Sequence, residues 1–168
     1  LEFRRVLFRS LAARRALAQG ISAVERPGPA AIRRIHEALA ASAAAARNAL
    51  VVGLTGAPGA GKSSLAAALA DVARAGGRRV AILAIDPSSQ ESGGALLGDR
   101  VRIDEHPEDD GRYTRSIATR GSGRSLAHVA AAATILVEAA GFDLIFVETV
   151  GAGQAEIGIA RLADVVVV

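Results

Sequence analysis

The sequence contains no cysteine, methionine or tryptophan, and its aromatic residues are four Phe and one Tyr. Without cysteine neither a disulfide framework nor a thiolate metal site can be built. That fits a reducing compartment, the cytoplasm or, in a eukaryote, the mitochondrial matrix. Methionine is missing even at position 1, so the chain reads as a fragment or a processed form. No apolar run approaches the roughly 18 residues that a membrane span needs, so no membrane span is expected. Lysine is almost absent as well: Lys62 is the one exception among 20 cationic residues, the rest being Arg. The formal net charge is +3, but no aromatic interleaving or recognition motif accompanies it. The basic balance therefore gives little support to a nucleic-acid partner.

What is present centres on one stretch. At 168 residues the chain can bury one sizeable core. Within it, Val51, Val52, Gly53, Leu54 and Thr55 form a mostly apolar run that reads as a buried strand. Gly56, Ala57, Pro58, Gly59, Ala60, Gly61, Lys62 and Ser63 follow and fit G-x-x-x-x-G-K-[ST]. After Ser64, residues 65–73 read as a helix. Strand, glycine loop and helix together are the setting this phosphate-binding motif requires. Backbone N–H groups must close around phosphate oxygens, and a Cβ would obstruct that approach. The helix N-terminus adds its positive dipole. Lys62 is expected to reach the β- and γ-phosphates and the Ser63 hydroxyl to bind Mg²⁺. A compact ammonium fits inside such a loop where a planar guanidinium does not, which gives a reason for the lone lysine. The chain is expected to bind a nucleoside triphosphate. A Gly/Ala-rich turn is the structural alternative.

The remaining segments arrange themselves around that loop. Residues 1–10 differ in composition from the rest and are unassigned, reading as a non-native remnant or a transit-peptide-like stretch. Residues 11–25 and 29–47 read as two helices joined by a Pro/Gly turn, a hairpin ahead of the nucleotide core. The division is thus 1–10, 11–48 as hairpin and 49–168 as nucleotide core, incomplete at its C-terminus. His36, among charged neighbours, reads as a surface residue, and His128, on an apolar helix over 125–140, reads as a packed one. Gly76 and Gly77 mark a helix end. Residues 79–85 form a continuous apolar run suited to a strand buried on both faces, and it ends at Asp86. A right-handed crossover would bring both strand C-termini to one sheet edge, so Asp86 is a candidate Mg²⁺ ligand. The competing role for Asp86 is an Asp turn or N-cap. Residues 90–102 form a polar glycine-rich loop in which Asp99 is a candidate for positioning the metal or the attacking water, or else an N-cap. Residues 113–117 suggest a short strand, and 119–123 a second, weaker glycine loop. Residues 143–148 read as another central strand ending in Glu148, with Gly151 three positions on. That spacing suits a carboxylate in the Mg²⁺ shell and a glycine N–H on the γ-phosphate. Asp is usual at this position, so the longer Glu148 is expected to reach the metal through water. Residues 157–162 read as a short helix and 163–168 as the beginning of a further strand.

Taken in order, 56–63, 84–89, 93–100, 118–121 and 148–154 resemble one family, the MeaB/ArgK-type GTPases. That family includes the methylmalonyl-CoA mutase-associated chaperone of animals and proteins labelled LAO/AO transport ATPases. The resemblance covers about residues 11–168. It implies an α/β P-loop NTPase fold of the SIMIBI type, with a mostly parallel central sheet flanked by helices and preceded by the hairpin. It implies GTP and GDP as bound nucleotides, Mg²⁺, and GTP hydrolysis coupled to gating and protecting a cobalamin-dependent acyl-CoA mutase. Carried over by position, Lys62 and Ser63 bind phosphates and Mg²⁺, while Asp86, Asp99 and Glu148 form the acidic metal and catalytic set. In the family the base-reading Asn-Lys-x-Asp motif and a homodimerisation segment lie beyond the last residue of this sequence. Two other readings stay open. One is a small-molecule P-loop kinase, with Arg115, Arg120 and Arg124 as an arginine lid. The other is a nucleotide-dependent interaction module with negligible turnover, binding through the hairpin.

Overall fold

A computed structural model describes residues 11–25, 28–44, 49–86, 109–118, 123–149 and 154–168. Its described elements are α1 (Leu11–Val24), α2 (Pro29–Ala44), β1 (Leu50–Leu54), α3 (Lys62–Ala75), β2 (Val80–Asp86), β3 (Arg112–Ala118), α4 (Gly123–Ala139), β4 (Leu144–Thr149), α5 (Gln154–Ala160) and β5 (Val165–Val167). The five strands form one sheet in the order β3-β2-β4-β1-β5. Every neighbouring pair is parallel. The expected α/β architecture with a parallel sheet is therefore the observed one. Parallel strands need crossovers; α3 lies between β1 and β2, α4 between β3 and β4 and α5 between β4 and β5, while the β2–β3 connection lies mostly outside the described residues.

Strand alternation divides the core in two. On one face Val52, Leu54, Val80, Ile82, Leu144 and Phe146 pack beneath α3 through Ala66 and Ala70. Alanines let this helix lie close to the sheet. On the other face Val51, Leu83, Ile85, Ile145 and Val147 meet Val129, Ala133 and Val137 of α4. The hairpin joins that second cluster: Leu17, Ile21 and Val24 of α1 are buried in it, and α1 and α2 both pack on α4. Near-helical apolar spacing suggests an inward face on both hairpin helices, and α1 bears it out through Leu17, Ile21 and Val24; in α2 only Ile35 of the spaced set packs against the cluster, while Ile32 and Leu39 are exposed. Gly53 permits the closest approach of α5, because a Cβ there would lie 2.6 Å from Ile159 Cγ2.

The N-terminal ends of the strands are closed by charged side chains. Val51 N donates to Asp164 Oδ2 at 2.8 Å, Ala49 N to Glu138 Oε1 at 3.1 Å and Arg79 N to Asp143 Oδ2 at 2.9 Å. Arg79 also donates to the carbonyls of Ala140 and Gly141 at the end of α4, and its guanidinium sits 4.7 Å from the Phe142 ring centroid. Arg14 of α1 donates to the carbonyls of Asp109 and Arg112, each at 2.6 Å. Arg112 is buried and paired with Asp71 of α3. His36 is exposed, as foreseen, but His128 is exposed too, contrary to the packing role expected of it. The helix is apolar on average, yet position 128 falls on its outer side while Val129, Ala130, Ala132 and Ala133 turn inward.

Candidate functional site

The phosphate-loop sequence lies between β1 and α3, beyond the C-terminal ends of the strands. Its glycines adopt backbone angles that L side chains rarely take: φ is +126° at Gly56, +77° at Gly59 and +87° at Gly61. At Gly59 and Gly61 a Cβ would meet nothing within 4 Å. The protein therefore leaves room, and the backbone conformation is what demands glycine there. Gly61 is the N-cap of α3, with no side-chain cap. Because Gly61 turns the chain in the left-handed region, α3 begins at Lys62, three residues before the helix read from the sequence. Lys62, Ser63 and Ser64 consequently occupy its first turn, where orphan N–H groups and the helix dipole favour an anion.

Lys62 bends back over the loop. Its Nζ donates to the Gly56 and Ala57 carbonyls, each at 2.8 Å. An ammonium has three donors, so this geometry holds the charge at the loop mouth with one N–H beyond the two used. Ala57, Pro58, Gly59, Ala60, Gly61 and Ser64 are exposed around it, which suits backbone contacts to a ligand. Ser63 faces the other way: its Oγ donates to Glu148 Oε1.

Glu148 reaches that point through strand order. β4 lies between β1 and β2, and Glu148 is in register with Leu54 on one side and Ala84 on the other. Its side chain shares the α3 face with Leu54 and Phe146, and the residue is only 6% exposed. A Glu arm is long enough to span from β4 to the first turn of α3, and here it meets Ser63 directly. The β2 backbone ends at Asp86, one step past the Ile85–Thr149 pair, so Asp86 lies at the same sheet edge. The Asp86 side chain, Asp99 and Gly151 lie outside the described residues. So do the glycine loop at 119–122 and the side chain of Arg124. Arg115, the remaining member of the suggested arginine lid, is directed to α1, donating to Ser22 Oγ at 2.8 Å and approaching Glu25 Oε2 at 3.5 Å. It cannot make those contacts and also close over a phosphate, which removes it from such a lid in this arrangement.

A hydroxyl and a carboxylate side by side at the glycine loop form a hard-oxygen donor set. Mg²⁺ is characteristically held by one or two carboxylates together with phosphate oxygens and water, so these residues fit that ion. Among the described residues no group of three His, Cys, Asp or Glu converges, and a site of this kind does not need one. Two further residues at this edge escape a sequence reading. Thr55 and Thr149 bury their hydroxyls there with no hydrogen-bond partner among the described residues. Their one visible signal is position, each being next to a residue of the motif.

The chain matches a family profile described as methylmalonyl Co-A mutase-associated GTPase MeaB over residues 17–168. It is 36% identical over 151 residues to the GTPase ArgK of Escherichia coli, covering 90% of this chain and 46% of that protein. It is 41% identical over 116 residues to the mitochondrial methylmalonic aciduria type A homolog of Mus musculus, covering 69% of this chain and 28% of that one. A crystal structure titled LAO/AO transport system kinase superposes with a TM-score of 0.67 at 31% identity, covering 98% of this chain and 47% of the other. The chain spans less than half the length of these relatives.

Proposed function

The chain belongs to the family of methylmalonyl-CoA mutase-associated GTPases of the MeaB type, and from that premise we propose that it is the core of a Mg²⁺-dependent GTP-binding and GTP-hydrolysing switch. In the longer protein this switch serves as a chaperone of a cobalamin-dependent methylmalonyl-CoA mutase-type enzyme and works as a homodimer. The proposed setting is the cytoplasm, or the mitochondrial matrix in a eukaryote. The observation that carries the reading is the Ser63–Glu148 contact beside Lys62 at the mouth of a left-handed glycine loop.

The surroundings of Lys62, Ser63 and Glu148 support a role for each, and the roles of Asp86, Asp99 and Gly151 rest on the family resemblance. Lys62 turns from the loop carbonyls to the β- and γ-phosphates, trading two neutral acceptors for anionic ones. Loop N–H groups from Gly56 to Ser64 cradle the phosphate chain. Ser63 and Glu148, with Asp86 and Asp99, hold the metal. When bound, Mg²⁺ neutralises charge on the β- and γ-phosphate oxygens. Glu148 and Asp99 orient the attacking water, and the Gly151 N–H senses the γ-phosphate. The Ser63–Glu148 hydrogen bond keeps both oxygen ligands at one point before any metal arrives, which lowers the reorganisation needed on binding.

The deciding experiment is calorimetric titration of the purified longer protein that contains this chain, with GTP and with ATP, each in Mg²⁺ and in EDTA, followed by phosphate-release assays. Mg²⁺-dependent binding that favours GTP is the expected result. Equal or tighter ATP binding, or γ-phosphate transferred to a metabolite in place of water, would sink the GTPase reading and favour a kinase.

A further inference from the structure

Two buried hydroxyls have no use in the chemistry above. Thr149 is fully buried, and its Oγ1 and that of Thr55 lack hydrogen-bond partners among the described residues. They are neighbours by register. The final ladder pair of β1 and β4 is Leu54 with Glu148, so the next step along both chains sets Thr55 beside Thr149. The backbone of Thr55 still follows the sheet, its N–H donating to Val167 O at 3.0 Å. Alternation fixes the face. Leu54 and Phe146 lie in the cluster under α3, whereas Val51, Ile145 and Val147 lie in the opposite one. Thr55 and Thr149 therefore share the face away from α3, while Glu148 turns toward Ser63. Adjacent strands are about 4.8 Å apart, and at that spacing a χ1 rotation can join paired threonines by a hydrogen bond.

We propose that Thr55 and Thr149 form a latch whose hydrogen bond closes in the nucleotide-bound form and ties the root of the phosphate loop to the strand end carrying Glu148. It rests on reading the loop as a GTP site. Valine has the shape of threonine and would fill both positions with no unpaired hydroxyl, whereas an unbonded buried hydroxyl is costly. The hydroxyls are thus accounted for by a state in which they are bonded. Each stands one peptide bond from a group that changes partner when phosphate binds. Thr55 precedes Gly56, whose carbonyl holds Lys62; Thr149 follows Glu148, which holds Ser63. Releasing the Gly56 carbonyl frees the loop root, and reorienting the Glu148 carboxylate adjusts the end of β4. One hydroxyl then donates to the other, so both residues act by positioning and neither touches the phosphate.

The test is a double-mutant cycle of Thr55→Val, Thr149→Val and the double variant, with Thr149→Ser as the conservative control. Two quantities are read: the nucleotide-free thermal midpoint, and the Kd for GTP in Mg²⁺. The Val variants should keep or raise the nucleotide-free midpoint. Either single change should weaken GTP about tenfold, or roughly 1.4 kcal/mol. The double variant should be no weaker than the singles, because both remove one shared bond, and Thr149→Ser should restore binding. A lowered nucleotide-free midpoint would overturn the latch, since the hydroxyls would then be bonded at rest. So would additive losses, or affinities within threefold of the unsubstituted chain. If the unsubstituted chain itself fails to bind GTP, the site reading falls; if it binds and the variants match it, the latch alone falls.

Discussion

The two ends of the parallel sheet use polar groups in opposite ways. At the N-terminal ends of the strands, acids and arginines are spent on backbone. Asp164, Glu138 and Asp143 accept N–H groups at the starts of β1 and β2, and Arg14 and Arg79 donate to carbonyls. At the C-terminal ends, Lys62 rests on two loop carbonyls, Ser63 on Glu148, and two threonine hydroxyls on nothing described. The first set completes the fold with bonds that no ligand improves. The second consists of bonds a phosphate or a metal can replace with stronger ones. Ligands of open α/β sheets gather at the carboxyl ends of strands, and the contrast gives a physical reason: this is the end left with exchangeable partners.

Lys62→Ala breaks the comparison most severely if the contrast is false. At the C-terminal end it removes a charge-assisted contact to phosphate and should weaken GTP about 100-fold, close to 2.7 kcal/mol. The thermal midpoint should stay where it is, because the Gly56 and Ala57 carbonyls lie at a solvent-exposed loop and return to water. A clear loss of stability would mean that the lysine serves the fold as the arginines at the other end do.

Gly53→Ala lies between the two ends. An added Cβ would meet Ile159 Cγ2 at 2.6 Å and Ala163 Cβ at 3.2 Å, pushing α5 off β1. Overpacking of this kind costs about 1–3 kcal/mol, to be read as a lowered urea midpoint. GTP affinity should change less than stability does. An affinity loss exceeding the stability loss would show that α5 reports directly to the loop.

How much of this a sequence can disclose depends on whether the information is local. The loop was legible because its glycines, Lys62 and Ser63 are contiguous and flanked by a strand and a helix. The apolar runs of β1, β2 and β4 were legible for the same reason. Strand order was not. Nothing local tells that β4 inserts between β1 and β2, and that insertion is what carries Glu148 to Ser63. The hairpin's apolar spacing marked Leu17, Ile21 and Val24, which enter the main core, but the same spacing in α2 included Ile32 and Leu39, which are exposed, because spacing alone does not say how much of a helix face a neighbour covers. His128 was misjudged because average helix polarity says little about a single position at a boundary. Thr55 and Thr149 gave no signal, since threonine is ordinary in strands and only burial reveals an unpaired hydroxyl.

The smallest expected effect tests the fold-serving end. Asp109 accepts Arg74 Nε at 2.8 Å, Arg74 Nη2 at 2.6 Å and Gly111 N at 2.9 Å. The hydrogen bond from Arg74 holds its carboxyl below the ordinary value of 3.8, outweighing partial burial, and the Gly111 N–H assists. A depressed folded value means that the carboxylate contributes stability above the ordinary value, and that this contribution is lost as the pH falls through the depressed one. Asp109→Asn should therefore cost about 1 kcal/mol at pH 7, with the two proteins converging in urea midpoint as the solution is acidified below the carboxylate range. Gly111→Ala should reproduce the neutral-pH loss without touching Asp109, because its Cβ would occupy the place of the Arg74 guanidinium. Neither change should move the Kd for GTP. If either does, the clamp at one end of the sheet governs the loop at the other, and the division of labour between them fails.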